Sequence, residues 1–301
     1  MEYEIKCLAG LDREDYEQVL RLERECERAD KIAFKLELDY KKNAYEHAPR
    51  GQSGELNDFI AFADGQAVGY IGLCDFGGPD ALPEVTGMVH PNYRRRGIFS
   101  ALHAYASGEL ARRGRKNALL LCDRRSANGH AFLERIGSAY KSCEVEMYLD
   151  QSATLRDADE PLGISLRKAV NADAGELRRM DAIFWNEPEP PAEDAKRLPE
   201  EEEKRGVTAY LAQKDGAIVG KINLQQSESG VSGIYGFGVL KEHRGKGYGR
   251  AILLTALKKL KEAGAKDVLL QVVPENERAL NLYKSCGFQE TSVMDYYEWT
   301  L

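Results

Sequence analysis

Residues 239–264 read VLKEHRGKGYGRAILLTALKKLKEAG and place three glycines directly before an apolar pattern of helical period. The first amides of a helix have no partner inside the helix, and the helix dipole adds positive character at that end. Glycine lets a phosphate approach backbone that a side chain would shield, and Arg244, Lys246 and Arg250 add positive charge. The stretch therefore predicts a phosphate or pyrophosphate site at the start of a helix.

Two common phosphate-binding motifs do not fit this stretch. The P-loop sequence G-x-x-x-x-G-K-[ST] is absent. Gly245, Gly247 and Gly249 are spaced as G-x-G-x-G, whereas a dinucleotide-binding turn has G-x-G-x-x-G followed by a ribose-binding acid. Taken alone, the turn is equally compatible with a charged surface loop.

The same pattern occurs a second time, 150 residues upstream, as VHPNYRRRGIFSALHAYASGELARRG. Val89 aligns with Val239 and Gly97 with Gly247, without a gap. A repeat of this length indicates two domains of one fold rather than a solenoid. The expected domains are residues 1–152 and 163–301, a pseudo-dimer within one chain, joined by a polar segment without periodicity.

The fold class expected for each copy is α/β, with a mixed sheet and helices on both faces. In the second copy the pattern predicts a strand at 163–169, a helix at 171–185 with Asp173 as N-cap, and a hairpin at 207–224. A strand weakened by Gly236 and Gly238 precedes the glycine-rich turn, and a second strand and helix follow its helix. Residues 288–301 are expected to close the copy as a pair of strands. This order of elements is typical of a mixed sheet.

Composition excludes several classes of protein. The net charge of -7 and the pI near 5.5 disfavour nucleic-acid binding, because a phosphate-binding face would make the balance basic. No apolar run approaches the ~20 residues that span a bilayer, and the first residues lack the features of a signal peptide. The six scattered cysteines indicate reduced thiols in a cytoplasm, and the five histidines show no metal-binding spacing.

Together with a later motif, the glycine-rich turn resembles the GNAT superfamily of acyl-CoA-dependent N-acetyltransferases. RGKGYG at 244–249 fits the family's pyrophosphate loop, [RQ]-x-x-G-x-[GA], at every position. The family's N-x-x-A-x-x-x-Y-x-x-x-G-F motif is matched by Asn276, Ala279, Tyr283, Gly287 and Phe288. The resemblance covers both copies, and the tandem arrangement is similar to the mycothiol-synthase-like branch, a likeness of architecture that identifies no substrate.

The resemblance implies that acetyl-CoA is the cosubstrate and lies where two parallel central strands diverge, one of them ending at Val239. An amide near Gly238 or Val239 would polarise the thioester carbonyl, and the glycines of that strand fit a bulge. The implied coenzyme A contacts in the second copy are Gly238, Val239, Arg244, Gly245, Lys246, Gly247, Tyr248, Gly249 and Asn276. In the first copy they are Val89, Arg96 and Gly97.

The implied reaction is direct attack of an amine on the thioester. The motif assigns Tyr283 as the acid that protonates the departing thiolate, although a tyrosine on a helix otherwise packs in a core. The general base stays open, because the strand before the loop offers only Tyr235 where many family members have a glutamate. Further candidates on the terminal strand are Asp295, Tyr296, Tyr297 and Glu298.

The first copy departs from the family pattern. Phe99 replaces Gly249, Ser126 replaces Asn276, and Leu133 replaces Tyr283. The copy therefore lacks the usual acid, although Glu84 on its loop strand remains as a possible former base. We expect the first copy to brace the second, which carries the activity.

The expected partner is a small-molecule amine. The segment 185–206 carries eight acidic residues, and an acidic rim would attract a cationic amine, although such runs usually form a solvated surface. Two alternatives remain: a coenzyme A-binding sensor with vestigial catalysis, and an acetyltransferase that modifies a protein N-terminus or lysine.

Overall fold

The protein is described by a computed structural model covering residues 2–47, 54–75, 81–150, 162–186, 188, 198–226 and 230–301. It consists of two compact units. Unit 1 comprises Met1–Glu144 and Ser292–Leu301, and unit 2 comprises Val145–Thr291. The polar segment expected to join the two copies lies almost entirely outside the described residues.

Unit 1 follows the predicted order of elements. Its strands and helices are β1 (Glu4–Leu8), α1 (Arg13–Asp30), α2 (Leu38–Glu46), β2 (Asp58–Ala63), β3 (Gln66–Cys74), β4 (Glu84–Val89), α3 (Ile98–Arg112), β5 (Asn117–Asp123) and α4 (Ala127–Arg135), followed by the first part of β6 (Ala139–Leu149). β1 to β4 pair in an antiparallel manner, whereas β4 and β5 are parallel, so the sheet is mixed.

Unit 2 repeats this order. It contains β7 (Ile164–Lys168), α5 (Ala174–Trp185), α6 (Pro199–Lys204), β8 (Val207–Lys214), β9 (Ala217–Gln225), β10 (Val231–Val239), α7 (Tyr248–Glu262), β11 (Asp267–Val272) and α8 (Glu277–Ser285), and then the start of β12 (Phe288–Thr300). β10 and β11 are parallel and their neighbours antiparallel. The predicted mixed α/β fold is thereby confirmed.

Each unit takes a strand from the other repeat. Val145–Tyr148 of β6 pair with β11 in unit 2, and Met294–Thr300 of β12 pair with β5 in unit 1. The prediction that residues 288–301 form a pair of strands was wrong, because they form one long strand. The strand runs without interruption over 13 residues because it contains no Gly or Pro that would turn the chain.

The core of unit 1 lies on both faces of its sheet. On one face, Val85, Val89, Leu102 and Leu120 belong to a cluster that includes α3. On the other face, Val19 and Leu22 of α1 pack with Tyr70 and Met88. Since neighbouring strand residues point to opposite faces, Glu84, Thr86 and Met88 lie on the α1 face of β4. In unit 2, Leu177 and Met180 of α5 pack with Leu211.

Within the described ranges, none of the helices combines the length and the apolar character needed to cross a membrane.

Candidate active site

The glycine-rich turn of unit 2 has the backbone that an anion site requires. Gly245 and Gly247 have φ of +76° and +81°, a left-handed conformation that residues with a side chain rarely adopt. Gly247 is the N-cap of α7 and supplies no side-chain bond to the helix. The first amides of α7 are therefore left without an intrahelical partner, as the sequence predicted.

The arginine of this turn has different surroundings in the two units. The Nε of Arg244 donates to the carbonyl of Val239 at 2.9 Å, and Arg94 makes the same bond to Val89 at 3.0 Å. Arg94 also forms a bidentate ion pair with Asp30, with Nη1 at 2.8 Å from Oδ1. In the part of the chain that the structure describes, Arg244 has no carboxylate partner. Its exposed guanidinium charge therefore remains available to an anion, whereas that of Arg94 is neutralised.

β10 diverges from its parallel neighbour at the expected place. Its pairing with β11 ends at Ile234 opposite Leu270. On its other edge the register with β9 passes from Tyr235 opposite Asn223 to Gly238 opposite Lys221, so β10 contains one extra residue. The predicted bulge is present, and Gly236 adopts φ of +52° within it. On the side of β11, residues 236–239 therefore have no strand partner among the described residues and border a gap between the two strands.

Two glycines beside the gap, Gly238 on β10 and Gly249 on α7, lie close to neighbouring side chains. A Cβ on Gly238 would lie 2.4 Å from the ring of Phe184 on α5, so any larger residue would require that ring to move. A Cβ on Gly249 would lie 3.3 Å from Leu282 of α8 and 3.7 Å from Val239. Leu282 of α8 and Val239 of β10 therefore lie close to the first turn of α7, beside the gap between β10 and β11, which we call the cleft.

Tyr283 lies on α8 at the wall of this cleft. Its ring centroid is 6.3 Å from that of Phe237 on β10 and 6.1 Å from that of Phe288. The side chain is buried, and burial raises the pKa of Tyr283 to about 12. The phenol is therefore protonated throughout the neutral range.

The other residues predicted to contact coenzyme A lie around the same turn. Asn276 is the N-cap of α8. Its Oδ1 accepts a hydrogen bond from the amide of Ala279 at 3.2 Å, and its Nδ2 takes no part in that bond. Lys246 is exposed and donates to the carbonyl of Glu242 at 3.0 Å. The ring centroid of Tyr248 lies 6.3 Å from that of His243. All three sit at helix ends that border the cleft.

The terminal-strand candidates for the base lie in unit 1. Asp295 is ion-paired with Arg124 at 2.6 Å, Tyr296 accepts from Lys35 at 2.8 Å, and Glu298 pairs with Lys141 at 3.0 Å. Tyr297 contacts His130 at 3.1 Å. By sequence position these residues belong to the second copy, but the strand exchange places them in unit 1.

Because β6 pairs with β11, a carboxylate from the first repeat, Glu146, lies in unit 2. Glu146 on β6 lies directly opposite Gln271 on β11, one residue beyond the last parallel pair of β10 and β11. It is 9 % exposed and is the one buried carboxylate among the described residues of unit 2. Its number places it in the first repeat, so no signal within the second repeat could have identified it.

β9 carries two polar side chains, Lys221 and Asn223, two positions apart. Lys221 is 2 % exposed, and its Nζ lies 2.6 Å from Oδ1 of Asp181 on α5. Asn223 has a buried Oδ1 that accepts no hydrogen bond from the residues described. Polar groups so placed on the α5 face of a sheet are costly unless a ligand or partner satisfies them.

The described part of the acidic segment 185–206 carries less unpaired negative charge than the sequence suggested. Glu201 and Glu202 pair with Lys204 and Arg205 at the C-terminal end of α6, and Glu203 pairs with Lys168. Glu200 bonds to Asn171. The remaining acids, Glu187, Glu189, Glu193 and Asp194, lie outside the described residues.

Unit 1 contains a cavity of about 460 Å³ at the corresponding position. The parallel pairing of β4 with β5 is limited to Glu84 and Val85, so these strands also diverge, although the register of β4 with β3 has no bulge. The cavity is lined by Val89, Gly97, Phe99 and Leu133, among others. Phe99 packs edge-on against Phe132 with centroids 4.7 Å apart.

Two of the unit 1 residues predicted to contact coenzyme A, Val89 and Gly97, line this cavity. The third, Arg96, has its guanidinium 5.4 Å from the ring centroid of Tyr93. Within the described ranges, three or more His, Cys, Asp or Glu side chains do not come together as a metal site would require.

Comparisons with known proteins agree with this architecture. The profile of the acetyltransferase (GNAT) family matches residues 175–288, and that of the acetyltransferase (GNAT) domain matches residues 57–137. A mycothiol acetyltransferase from Actinosynnema mirum is 30 % identical over 93 % of this chain and 94 % of the relative. One from Streptomyces coelicolor is 26 % identical over 96 % and 94 %.

Solved structures show the same fold. A tandem GNAT protein from the clavulanic acid biosynthesis pathway has a TM-score of 0.72 and 20 % identity, covering 99 % of this chain and 98 % of its own. A GCN5-related N-acetyltransferase from Sphaerobacter thermophilus has a TM-score of 0.69 and 18 % identity, covering 99 % and 95 %. With two GNAT matches in one chain and a relative aligned over nearly its full length, this protein belongs to the GNAT family of acyl-CoA-dependent N-acyltransferases, in its tandem form.

Proposed function

We propose that this protein transfers an acetyl group from acetyl-CoA to a small primary amine by direct attack, and that unit 2 is the active copy. The observation that carries the proposal is the bulge in β10. The bulge interrupts regular pairing at 236–239, beside the gap between the parallel strands β10 and β11. The start of α7, with the left-handed glycines Gly245 and Gly247, follows directly in the chain. Such groups can bind an extended thioester arm and polarise its carbonyl.

Binding of the cosubstrate rests on the start of α7. The pyrophosphate would accept hydrogen bonds from the free amides after Gly247 and would face the unpaired charge of Arg244. Gly238 and Val239 would flank the thioester, and Asn276 would border the cleft from α8. Unit 1 has a cavity of about 460 Å³ at the corresponding position, but Arg94 there is neutralised by Asp30.

The chemistry needs one base and one acid. An alkylammonium has a pKa near ~10.4, so populating the neutral amine at pH 7 costs roughly 4 to 5 kcal/mol. Glu146 is the buried carboxylate beside the gap, and we propose that it takes this proton directly or through water. The amine then attacks the thioester carbonyl, the C–S bond breaks, and Tyr283 donates its proton to the sulfur.

The high pKa of Tyr283 is compatible with this donation. Burial disfavours the phenolate in the same apolar cleft in which the departing thiolate would also lack hydration, so both anions are destabilised together. Leu133 occupies the corresponding place in unit 1 and has no proton to give, which supports unit 2 as the active copy.

A small acceptor is favoured over a protein because the relatives aligned over most of the chain are named mycothiol acetyltransferases. The decisive experiment measures release of coenzyme A from acetyl-CoA in the presence of a panel of small amines and of lysine-containing peptides. Acceleration by a small amine supports the proposal. Tight coenzyme A binding without turnover on any amine would instead support a sensor, and turnover on peptides alone would support a protein-modifying enzyme.

A further inference from the structure

An arginine in the first turn of α7 is bonded to the C-terminal end of α8. The Nη1 of Arg250 donates to the carbonyl of Ser285 at 2.8 Å and to its hydroxyl at 2.9 Å, and it lies 3.6 Å from Sγ of Cys286. Ser285 is the last residue of α8, so its carbonyl is one of those without a partner inside the helix. A guanidinium at this end also complements the helix dipole. The charge that the sequence suggested for a phosphate is therefore bonded to a helix end.

The same two helices make a second contact beside this bond. A Cβ on Gly249 would lie 3.3 Å from Leu282, and the hydroxyl of Ser285 donates to the carbonyl of Leu282 at 2.7 Å. Tyr283 directly follows Leu282 on α8. It therefore lies between two residues, Leu282 and Ser285, that fix α8 against the start of α7.

The hydroxyl of Tyr283 depends on the placement of its helix. Among the described residues it has no hydrogen-bond partner, and its ring packs against those of Phe237 and Phe288 at centroid distances of 6.3 and 6.1 Å. A phenol that no polar neighbour orients takes its position from the helix that carries it. Because the pyrophosphate is proposed to bind at the start of α7, a bond between α7 and α8 sets the distance from the acid to the cosubstrate.

Unit 1 contains the same bridge with its two residues exchanged. At the shift of 150 that aligns the repeats, Ser100 takes the position of Arg250 and Arg135 that of Ser285. Arg135 is the last residue of α4, and its Nη2 donates to the hydroxyl of Ser100 at 3.0 Å. The arginine thus lies on the helix after the turn in one unit and on the next helix in the other. The property that the two units share is the connection between the helices and not the position of the charge.

We propose that Arg250 is a positioning residue of the reaction, which ties the start of α7 to the end of α8 and so holds the hydroxyl of Tyr283 against the thioester sulfur. The inference rests on the proposed function, because it takes Tyr283 of unit 2 as the acid. Arg250 transfers no proton itself, and its effect passes through Tyr283. Since a misplacement of about 1 Å can cost ~10²-fold in rate, loss of the bridge is expected to appear in kcat.

The test exchanges the two residues of the bridge in unit 2. Arg250→Ser removes the donor, and Ser285→Arg alone brings two like charges together, so each should lower kcat by ~10-fold or more. The double variant, Arg250→Ser with Ser285→Arg, rebuilds the arrangement of unit 1 and should recover kcat to within ~3-fold of the parent. Coenzyme A affinity, measured by calorimetry, should change by less than ~3-fold in Arg250→Ser. Arg135→Ser, which breaks the equivalent bridge in unit 1, is the matched control and should leave turnover unchanged.

Two results of this experiment would overturn the proposal. A loss of coenzyme A affinity by ~10-fold or more in Arg250→Ser, without recovery in the double variant, would show that Arg250 contacts the pyrophosphate instead. Losses of kcat that simply add in the double variant would show that Arg250 and Ser285 act independently. The milder Arg250→Lys, which keeps the charge but loses the planar guanidinium, replaces Arg250→Ser in the same comparison if that variant does not fold.

A second cycle separates this proposal from the assignment of the acid. In a Tyr283→Phe background, Arg250→Ser should have little further effect on kcat, because the group that it positions has been removed. If Tyr283→Phe alone leaves kcat near that of the parent, the acid assignment fails, and the positioning role fails with it. If Tyr283→Phe lowers kcat and Arg250→Ser then lowers it again by its full factor, Tyr283 remains the acid and only the positioning role of Arg250 is refuted.

Discussion

Gly97 and Gly247 stand 150 residues apart and have the same backbone conformation, with φ of +80° and +81°, each as the N-cap of a 15-residue helix. Neither supplies a side-chain cap, so both helices begin with free amides. The two turns differ in what surrounds them, since Asp30 neutralises Arg94 beside the first and no described carboxylate neutralises Arg244 beside the second. The same substitution at both glycines therefore separates the roles of the two units.

Gly247→Asp should abolish most coenzyme A binding to unit 2. The carboxylate would stand where the pyrophosphate is proposed to bind, and the left-handed backbone adds strain of order 1–2 kcal/mol. Calorimetry with coenzyme A should show at least a ~10-fold loss of affinity. Gly247→Asn, which tolerates the same conformation without the charge, should lose less. Unchanged affinity in a folded Gly247→Asp protein would show that the ligand does not lie at this turn.

Gly97→Asp should leave turnover close to that of the parent. A Cβ at Gly97 meets no atom within 4 Å, so the substitution adds the strain of a left-handed backbone, as at Gly247, but no clash with a neighbouring residue. Since the proposed reaction takes place in unit 2, the initial rate with a small amine should change by less than ~3-fold, which is within the range of surface substitutions. Complete loss of turnover in a soluble, folded Gly97→Asp protein would mean that unit 1 is the active copy.

Tyr283→Phe should lower kcat by ~10²- to 10⁴-fold with little change in the KM for acetyl-CoA. The substitution keeps the ring and its contacts with Phe237 and Phe288 and removes only the proton that the sulfur needs. Because burial raises the pKa of Tyr283 to about 12, its ionisation should not limit the rate below pH ~10. Tyr105→Phe, at an exposed position of unit 1, is the control. A Tyr283→Phe enzyme within a few-fold of the parent would leave Tyr283 as a packing residue.

Glu146→Gln should lower kcat/KM by ~10²-fold or more if this carboxylate removes the proton of the amine. The low-pH limb of the kcat/KM profile, which reports the ionisation of a base in the free enzyme, should then shift or disappear. Glu290→Gln provides the control, since Glu290 also lies in unit 2 but is exposed and paired with Lys284. An unchanged pH profile with merely reduced stability would identify Glu146 as structural.

Glu109→Gln should destabilise unit 1 at neutral pH and less so in acid. Glu109 accepts hydrogen bonds from Arg112 at 2.7 Å, Arg113 at 2.8 Å and the amide of Leu56 at 2.9 Å, which lowers its pKa to about 2. A carboxyl pKa below its unfolded value stabilises the fold above pH ~5, and that stability is lost as the pH falls towards 2.

With a discount for the exposure of Arg112, we expect a loss of about 1–3 kcal/mol at pH 7 from urea unfolding, and a smaller loss at pH 3.5. Exposed Glu262→Gln should have little effect at either pH. An equal loss at both pH values would contradict the assigned cause.

The sequence by itself determined the repeated fold and the position of the turn. Left-handed glycines, a helical period after them and a C-terminal glycine at Gly264 are local properties, set by backbone sterics and by the spacing of apolar residues. The bulge at Gly236 was predictable for the same reason, because glycines interrupt a strand where regular pairing stops. The motif residues from Asn276 to Tyr283 follow from helix spacing alone.

Only the tertiary structure decided which strand completes each unit. β6 and β12 have similar burial patterns, and strand pairing depends on which edge is available rather than on local preference. For that reason Asp295, Tyr296, Tyr297 and Glu298 lie in unit 1, and Glu146 lies in unit 2.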